Sequence, residues 1–66
     1  MVSRAIRRLR NTAGLTQVEL AEKIGVSQGS LSAYESGKDT PSIKTLIRIA
    51  DALHCTLDEL VERRVS

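Results

Sequence analysis

The stretch from Ser27 to Ser36 carries the side chains whose types and spacing could do chemistry. Leu31 and Tyr34 are spaced for the buried side of a helix. Apart from Glu35, the other positions hold small or hydrogen-bonding groups: Gln28, Gly29, Ser30, Ser32, Ala33 and Ser36. Amide and hydroxyl groups both donate and accept hydrogen bonds. Because no long charged side chain stands among them, these residues can lie close against another surface, and they predict a binding face.

The other reactive side chains do not form a catalytic or a metal-binding set. His54 and Cys55 are the only histidine and cysteine, whereas a protein metal site needs several such ligands. Residues adjacent in sequence also rarely act as a nucleophile and its base. Paired carboxylates and a glycine-rich phosphate loop are missing. We therefore predict that the protein is not an enzyme and uses no cofactor, with Cys55 as a buried filler and His54 as the polar end of a helix.

The composition is that of a small packed domain. The 66 residues are 41% hydrophobic and 27% charged, which predicts one folded domain over residues 1–66 rather than a disordered chain. No apolar run reaches the roughly 20 residues of a membrane span, and the N-terminus has no signal-peptide pattern. We therefore expect a cytoplasmic protein without membrane contact.

Charge is distributed unevenly along the chain, although the net charge is only +2. Lys and Arg outnumber Asp and Glu in residues 1–48, and the balance reverses in residues 49–66. The basic part would suit a polyanion, but an ordinary solvated surface explains the charges equally well. Five of the basic residues either add diffuse attraction to such a polyanion or, as is commoner, lie on a solvated face: Arg4, Arg7, Arg8, Lys44 and Arg48.

Five segments space their apolar residues as helices do, and no segment alternates as a strand does. The predicted helices cover residues 3–13, 17–24, 28–36, 43–53 and 57–62, which gives an all-α domain of five helices around one core. The fourth segment is densely apolar and predicts the central core helix, through Ile43, Leu46, Ile47, Ile49, Ala50 and Leu53.

Capping residues mark where these helices start and end. Thr16 with Glu19, and Thr56 with Glu59, have the spacing of a capping box, in which each side chain satisfies a backbone N–H of the other residue. Single N-caps and terminating glycines mark the remaining boundaries: Ser27, Ser42, Gly14, Gly25 and Gly37.

Two short helices joined at Gly25, the second polar on its outer face, describe a helix-turn-helix, which places its second helix in the major groove of DNA. From Ile6 to Leu60 the sequence also resembles the phage-repressor family of helix-turn-helix domains, the group that contains Cro and lambda repressor. The resemblance is carried by Arg10, Leu15-Thr16-Gln17, Leu20-Ala21, Ile24-Gly25-Val26-Ser27, Leu31-Ser32, Glu35, Gly37, Pro41-Ser42, Leu46, Ala50, Leu53 and Leu57-Asp58-Glu59-Leu60. It implies a compact five-helix domain that acts as a transcriptional repressor or regulator, usually as a two-fold dimer on a palindromic DNA operator.

In that family, residues near the start of the second helix of the motif face the base edges. Carried over to this sequence, they are Gln28, Gly29, Ser32 and Ala33. A glutamine amide can donate to N7 and accept from N6 of adenine, so Gln28 predicts an adenine preference; without the resemblance it would be read as a solvated glutamine. Gly29 departs from the family pattern, either because DNA approaches the backbone there or because one base contact has been lost.

The resemblance also assigns residues that hold the phosphate backbone with N–H groups and short polar side chains. These are Thr16, Gln17, Ser27, Ser36, Lys38 and Thr40. Gln17 is equally well explained as a simple first-turn residue. Arg10 and Glu35 pair in family members and are expected to tie the first helix to the third. If exposed, that pair would contribute at most about 1 kcal/mol, and two unrelated surface charges are the alternative.

The expected partners are double-stranded DNA and a second copy of the chain. Leu57, Leu60 and Val61, with Val65, are candidate dimer contacts, although the same leucines could be ordinary core residues. A function of another class uses the same fold, namely an antitoxin or other protein-interaction module with a toxin or co-regulator as its partner. The sequence carries no long tail of the kind that often wraps a toxin, and we therefore expect the repressor.

Overall fold

The computed structural model describes residues 2–61, and within that range it contains five α-helices and no strand. The predicted all-α fold class is confirmed. The helices are α1 (Val2–Thr12), α2 (Gln17–Ile24), α3 (Gln28–Ser36), α4 (Ile43–Leu53) and α5 (Leu57–Val61). The first helix begins and ends one residue earlier than predicted, and the other four begin where predicted. Residue 62, the predicted end of the fifth helix, and Val65 lie outside the described residues.

Each helix from α2 to α5 starts at a side-chain oxygen that accepts a backbone N–H three residues on. At α2, Thr16 Oγ1 accepts from the Glu19 N–H at 3.1 Å, and Glu19 Oε1 accepts from the Thr16 N–H at 2.9 Å. This backbone hydrogen bond lowers the pKa of Glu19, so the carboxylate is charged at the positive end of the helix dipole. Thr56 and Glu59 exchange the same two bonds at α5. Single serines cap the other two helices, namely Ser27 and Ser42.

Residues with a positive φ follow each of the first four helices, and Gly14, with φ 74°, follows α1 as predicted. Gly25, with φ 75°, follows α2, and Gly37, with φ 81°, follows α3, as predicted. His54 ends α4 with φ 53° and ψ 45° and, within residues 2–61, is the only residue other than glycine with a positive φ. This conformation costs a side-chain-bearing residue about 1–2 kcal/mol, and it was not predicted at His54. The His54 N–H donates to the carbonyls of Ala50 and Asp51, which holds the turn in place.

One hydrophobic core receives a side chain from every helix. α1 packs against α3, α4 and α5, and α2 packs against α3 and α4. The largest fully buried side chains are Ile6, Leu20, Ile24, Leu31, Ile49 and Leu60. None of the helices between Val2 and Val61 has the length and apolar character that a membrane span requires. The packing holds α3 between α1 and α2, with one face left open to solvent.

Two isoleucines of α4 face outward, although both belong to the apolar pattern that predicted the central core helix. Ile43 is 69% exposed and Ile47 is 45% exposed. The other predicted core residues of this helix are buried: Leu46, Ile49, Ala50 and Leu53. The buried positions recur every three or four residues and form one stripe, whereas the two isoleucines lie one turn apart beside it. The density of apolar residues predicted a core helix correctly but did not specify which of them point inward.

Candidate nucleic-acid interface

The turn of residues 25–27 joins α2 to α3 and is closed by backbone hydrogen bonds. The N–H groups of Gly25 and Val26 both donate to the carbonyl of Ala21, at 2.9 and 3.1 Å. Ser27 Oγ then accepts the Ser30 N–H at 3.1 Å and starts α3. The two helices also pack directly against each other. The direction in which α3 leaves α2 is therefore fixed by main-chain geometry and by the core.

The outer face of α3 presents the residues that the sequence assigned to base contacts. Gln28, Gly29 and Ser32 are exposed, whereas Ala33 is half-buried at the edge of this face. Gln28 and Ser32 are four residues apart and so lie one above the other, about 6 Å along the helix. Three of the four candidates thus share one open surface, with an amide and a hydroxyl as its hydrogen-bonding groups.

The inner face of α3 is held by different residues. Leu31 is fully buried, Glu35 is 7% exposed, and Tyr34 is half-buried against the core. Tyr34 therefore has a packing role, as its inward position in the sequence predicted. Because the anchoring and the exposed residues are different side chains on adjoining sides of α3, the outer face can contact a partner without disturbing the packing.

Gly29 has room for a side chain in this structure. A Cβ atom added there would meet nothing closer than Ser27 Oγ, at 3.8 Å, which is an ordinary van der Waals contact. The backbone of Gly29 is also helical and has no positive φ. Packing within residues 2–61 therefore does not require a glycine here. The two explanations remain those given above, namely close approach of DNA to the backbone of Gly29 or the loss of one base contact.

Gly29→Ala is expected to raise the free energy of unfolding by about 1 kcal/mol, because alanine is the better helix former at an unobstructed helical site. Urea unfolding followed by circular dichroism measures this change. An unchanged or lowered stability would contradict the open space around the Cβ position. DNA affinity then separates the two explanations, since only close backbone approach predicts that the methyl group weakens binding.

A part-buried ion pair joins α1 to α3. Arg10 Nε donates to Glu35 Oε2 at 2.7 Å and Arg10 Nη2 donates to Glu35 Oε1 at 3.1 Å. The side chains of the pair are only 11% and 3% exposed. Arg10 Nη1 also donates to the carbonyl of Leu15, at 2.7 Å, in the loop that follows α1. The two residues predicted to pair are therefore in bidentate contact. Because both side chains are buried, the limit of about 1 kcal/mol given above for an exposed ion pair does not apply to them.

Gln17 completes this network from the start of α2. Its Nε2 donates to Glu35 Oε1 at 3.2 Å, so the Glu35 carboxylate accepts hydrogen bonds from both α1 and α2. The sequence did not predict this contact, because residues 18 positions apart have no periodic relation that would indicate it. Because one N–H of the Gln17 amide is used in this bond, a contact with phosphate would be made by its second N–H.

The other residues assigned to phosphate contacts lie at helix starts or after α3, and most of their polar groups already have partners. The Thr16 hydroxyl caps α2, the Ser27 hydroxyl donates to Ser30 Oγ at 3.0 Å, and the Ser36 hydroxyl donates to the Ala33 carbonyl at 3.2 Å. Hydroxyl groups rotate, so these can turn toward a phosphate oxygen.

Lys38 and Thr40 lie in the loop after α3. Both are exposed, and the Thr40 N–H donates to Asp39 Oδ1 at 2.9 Å. The loop itself is joined to α3 because the Asp39 N–H donates to the Ala33 carbonyl at 3.2 Å. The Lys38 ammonium is consequently carried on a segment that is anchored to α3.

The candidate dimer contacts separate into two groups. Leu60 is fully buried, so it belongs to the core and offers no surface to a second copy, contrary to its assignment as a dimer contact. Leu57 is 41% exposed and Val61 is 38% exposed, and their spacing of four places them on one face of α5. The exposed apolar surface of α5 is therefore limited to that pair, beside the exposed Asp58 and Glu59.

Cys55 and His54 lie at the loop between α4 and α5. Cys55 is half-buried against the core, and burial raises the pKa of its thiol, with a further contribution from the charge of Glu59. The thiol is therefore protonated near neutral pH and packs as a small apolar group. Among residues 2–61, no three His, Cys, Asp or Glu side chains lie close enough together to hold a metal ion.

Together, the closed turn, the packed pair of helices and the exposed polar face of α3 define a helix-turn-helix domain. A family model described as Helix-turn-helix matches residues 6–60. The chain belongs to this family, in its Cro and lambda-repressor type. The resemblance inferred from the sequence is thereby confirmed.

Among curated proteins, the chain is similar to the cryptic phage CTXphi transcriptional repressor RstR of Vibrio cholerae. The two are 43% identical over 54 residues, which are 82% of this chain and 48% of that protein. It is also similar to the antitoxin HipB of Escherichia coli, at 34% identity over 56 residues, which are 85% of this chain and 60% of that protein. The chain thus spans about half the length of the curated relatives it matches.

Solved structures share the fold over nearly the whole chain. The regulator of biofilm formation SinR, in complex with DNA, matches with a TM-score of 0.86 and 34% identity over 92% of this chain and 98% of that chain. SinR is a protein of Bacillus subtilis. The DNA-binding domain of the P22 c2 repressor matches with a TM-score of 0.90 and 27% identity over 100% of this chain and 87% of that chain.

Proposed function

We propose that the domain binds double-stranded DNA by placing α3 in the major groove, and that it acts as a transcriptional repressor. The observation that carries the proposal is the exposed row of Gln28 and Ser32 on a helix that the buried Leu31 and Glu35 anchor to the rest of the domain. Support also comes from the relatives, since RstR is named a transcriptional repressor and a SinR structure contains DNA.

Selection of bound sites from random duplex DNA, at two salt concentrations, tests this proposal. Phosphate contacts alone give binding that is strongly salt-dependent and independent of sequence, whereas base contacts enrich particular sequences. The expected result is a short enriched motif that persists at the higher salt concentration. Recovery of unenriched DNA would contradict a sequence-specific regulator.

Gln28→Ala is expected to remove the preference for adenine at one base pair of the enriched motif, which corresponds to about 1–3 kcal/mol of discrimination. The reason is that only the glutamine amide can both donate to N7 and accept from N6 of one adenine. Competition binding with the four possible base pairs at each position measures the change.

Asn11→Ala is the matched control for Gln28→Ala, because Asn11 is another exposed amide but lies at the end of α1. It should leave every base preference unchanged. If Gln28→Ala kept the full discrimination of the wild-type protein, the base-contacting role of Gln28 would have to be withdrawn.

The finer part of the proposal is a homodimer on a palindromic operator, formed through the exposed Leu57 and Val61 of α5. Val61→Asp would bury a charge in such an interface and should shift the protein toward the monomer in analytical ultracentrifugation. Circular dichroism checks that the variant is folded. A wild-type protein that stays monomeric both alone and on DNA would overturn the dimer.

A second candidate function is an antitoxin or another protein-interaction module. It is favoured by the similarity to HipB and by the outward-facing Ile43 and Ile47 of α4, which a protein partner would cover. Purification of the tagged chain from its native host discriminates the two functions. A stoichiometric partner that binds more tightly than any selected duplex would favour the interaction module.

A further inference from the structure

A recess of about 110 Å³ opens beside α3 and is lined by residues from three helices. Its lining consists of Arg7 of α1, Gln17 of α2, and Ser32, Glu35 and Ser36 of α3. The recess is several times larger than the roughly 30 Å³ that one water molecule occupies in the liquid, so it has room for a group the size of a phosphate. From the sequence alone, Arg7 is one of five basic residues that either attract a polyanion diffusely or lie on a solvated face, and it has no assigned contact.

The chemistry of the lining suits an anion with several oxygens. Arg7 supplies a guanidinium with multiple N–H donors, Gln17 has an amide N–H beyond the one given to Glu35, and the hydroxyls of Ser32 and Ser36 can rotate to donate. A guanidinium is the side chain best matched to phosphate oxygens because it can form two parallel hydrogen bonds. Gln17 is also the first residue of α2, where the helix dipole adds a partial positive charge.

The carboxylate of Glu35 in the lining does not oppose an anion, because its charge is already balanced. Arg10 binds both of its oxygens, at 2.7 and 3.1 Å, and Gln17 binds one of them at 3.2 Å. The side chain of Glu35 is only 3% exposed. With Arg10 compensating Glu35, the positive charge of Arg7 is the net charge of the recess.

The recess lies at one end of the row of exposed polar residues on α3. Gln28, Ser32 and Ser36 follow one another at intervals of four residues and form a single row along α3. The row spans about 12 Å, and the major groove is about 12 Å wide. Ser32 and Ser36 line the recess, so a phosphate held there would lie at one end of the row with Gln28 at the other.

We propose that this recess seats one backbone phosphate of the bound duplex, with Arg7 as its principal ligand and Gln17, Ser32 and Ser36 as its neutral donors. This assignment rests on the proposed DNA-binding function and adds to it a specific contact by α1. The contact sets the distance between α3 and the DNA backbone. It carries no sequence information of its own.

The test combines Arg7→Gln with duplexes in which single backbone phosphates are replaced by uncharged methylphosphonates. In the wild-type protein, neutralising the seated phosphate should weaken binding about tenfold, the loss typical of one charge-assisted hydrogen-bonded contact. In Arg7→Gln, affinity for the unmodified duplex should fall by about the same factor, and the methylphosphonate at that position should cause no further loss. The slope of the logarithm of affinity against the logarithm of salt concentration should become shallower by about 0.9.

Two further variants make the result specific to the recess. Arg8→Gln removes the same charge from an exposed position of α1 that does not line the recess, and it should retain the wild-type sensitivity at every phosphate. Arg7→Lys keeps the charge but loses the paired donors, and it should restore the salt slope while recovering only part of the affinity. Thermal unfolding checks that all three variants are folded.

Several outcomes would overturn the assignment, and they are distinguishable from a failure of the proposed function. If the wild-type protein binds the selected duplex but Arg7→Gln keeps the full methylphosphonate profile, the recess does not seat a phosphate although the domain binds DNA. If NMR shifts of the Gln17 amide saturate with inorganic phosphate while Arg7→Gln leaves duplex affinity unchanged, the recess takes a free anion instead. If the wild-type protein binds no duplex, the proposed function itself fails.

Discussion

Arg10→Met is expected to lower the free energy of unfolding by about 3–5 kcal/mol, the cost of leaving a buried carboxylate without its charged partner. The side chain of Glu35 is only 3% exposed and accepts two hydrogen bonds from the Arg10 guanidinium. A domain of this size has a total stability of roughly 3–10 kcal/mol, so the loss is a large part of the whole. Urea unfolding monitored by circular dichroism measures it.

Two other variants isolate the ion pair in this experiment. Arg8→Met makes the same chemical change at an exposed position of α1 and should alter stability by no more than about 0.5 kcal/mol. The double variant Arg10→Met/Glu35→Leu removes both charges and should recover much of the lost stability, because an apolar pair can replace a buried ion pair at little cost. Equal stabilities of the Arg10→Met and Arg8→Met variants would show that the pair does not stabilise the fold.

Leu60→Ala is expected to destabilise the protein by about 2–5 kcal/mol, because truncating a fully buried leucine removes apolar contacts and leaves a cavity. Leu60 has no exposed surface, although it lies on a helix of only five residues. Urea or thermal unfolding measures the loss. The result separates a core residue from a dimer contact, since the loss should not depend on protein concentration.

Leu57→Ala serves as the control for Leu60→Ala within the same helix. Leu57 is 41% exposed, and its truncation should cost less than about 1 kcal/mol in the monomer. Near-wild-type stability of Leu60→Ala at low protein concentration, together with weakened self-association, would return Leu60 to the dimer interface and contradict its burial in the core.

The helices were predictable from the sequence because the signals that define them are local. Thr16 and Glu19 are three residues apart, and a capping box needs no other part of the chain. The left-handed turns at Gly25 and Gly37 likewise follow from what glycine permits. His54 was the exception, because two backbone hydrogen bonds hold it in a conformation that its own chemistry disfavours.

Which side chains face inward was less predictable, because burial depends on how helices pack. α5 offers Leu57, Leu60 and Val61, and only its packing against α1 and α4 selects Leu60 for the core. The outward orientation of Ile43 and Ile47 is decided in the same way.

The site was predicted mainly through resemblance to a family, since periodicity cannot relate residues on different helices. Arg10 and Glu35 are 25 positions apart, and only the family pattern paired them. The Gln17 contact with Glu35 and the place of Arg7 beside Ser32 and Ser36 emerged only from the assembled fold.

The division of α3 into an anchoring side and an exposed side also has a consequence for how such a domain can change. Leu31 and Glu35 hold the helix, whereas Gln28, Gly29 and Ser32 take no part in the core. In the proposed DNA-binding function, new sequence specificities would therefore arise by exchange of a few outward residues at little cost in stability. The domain is for that reason a suitable scaffold for engineering, because the exposed residues of α3 can be replaced while the residues that pack the core are kept.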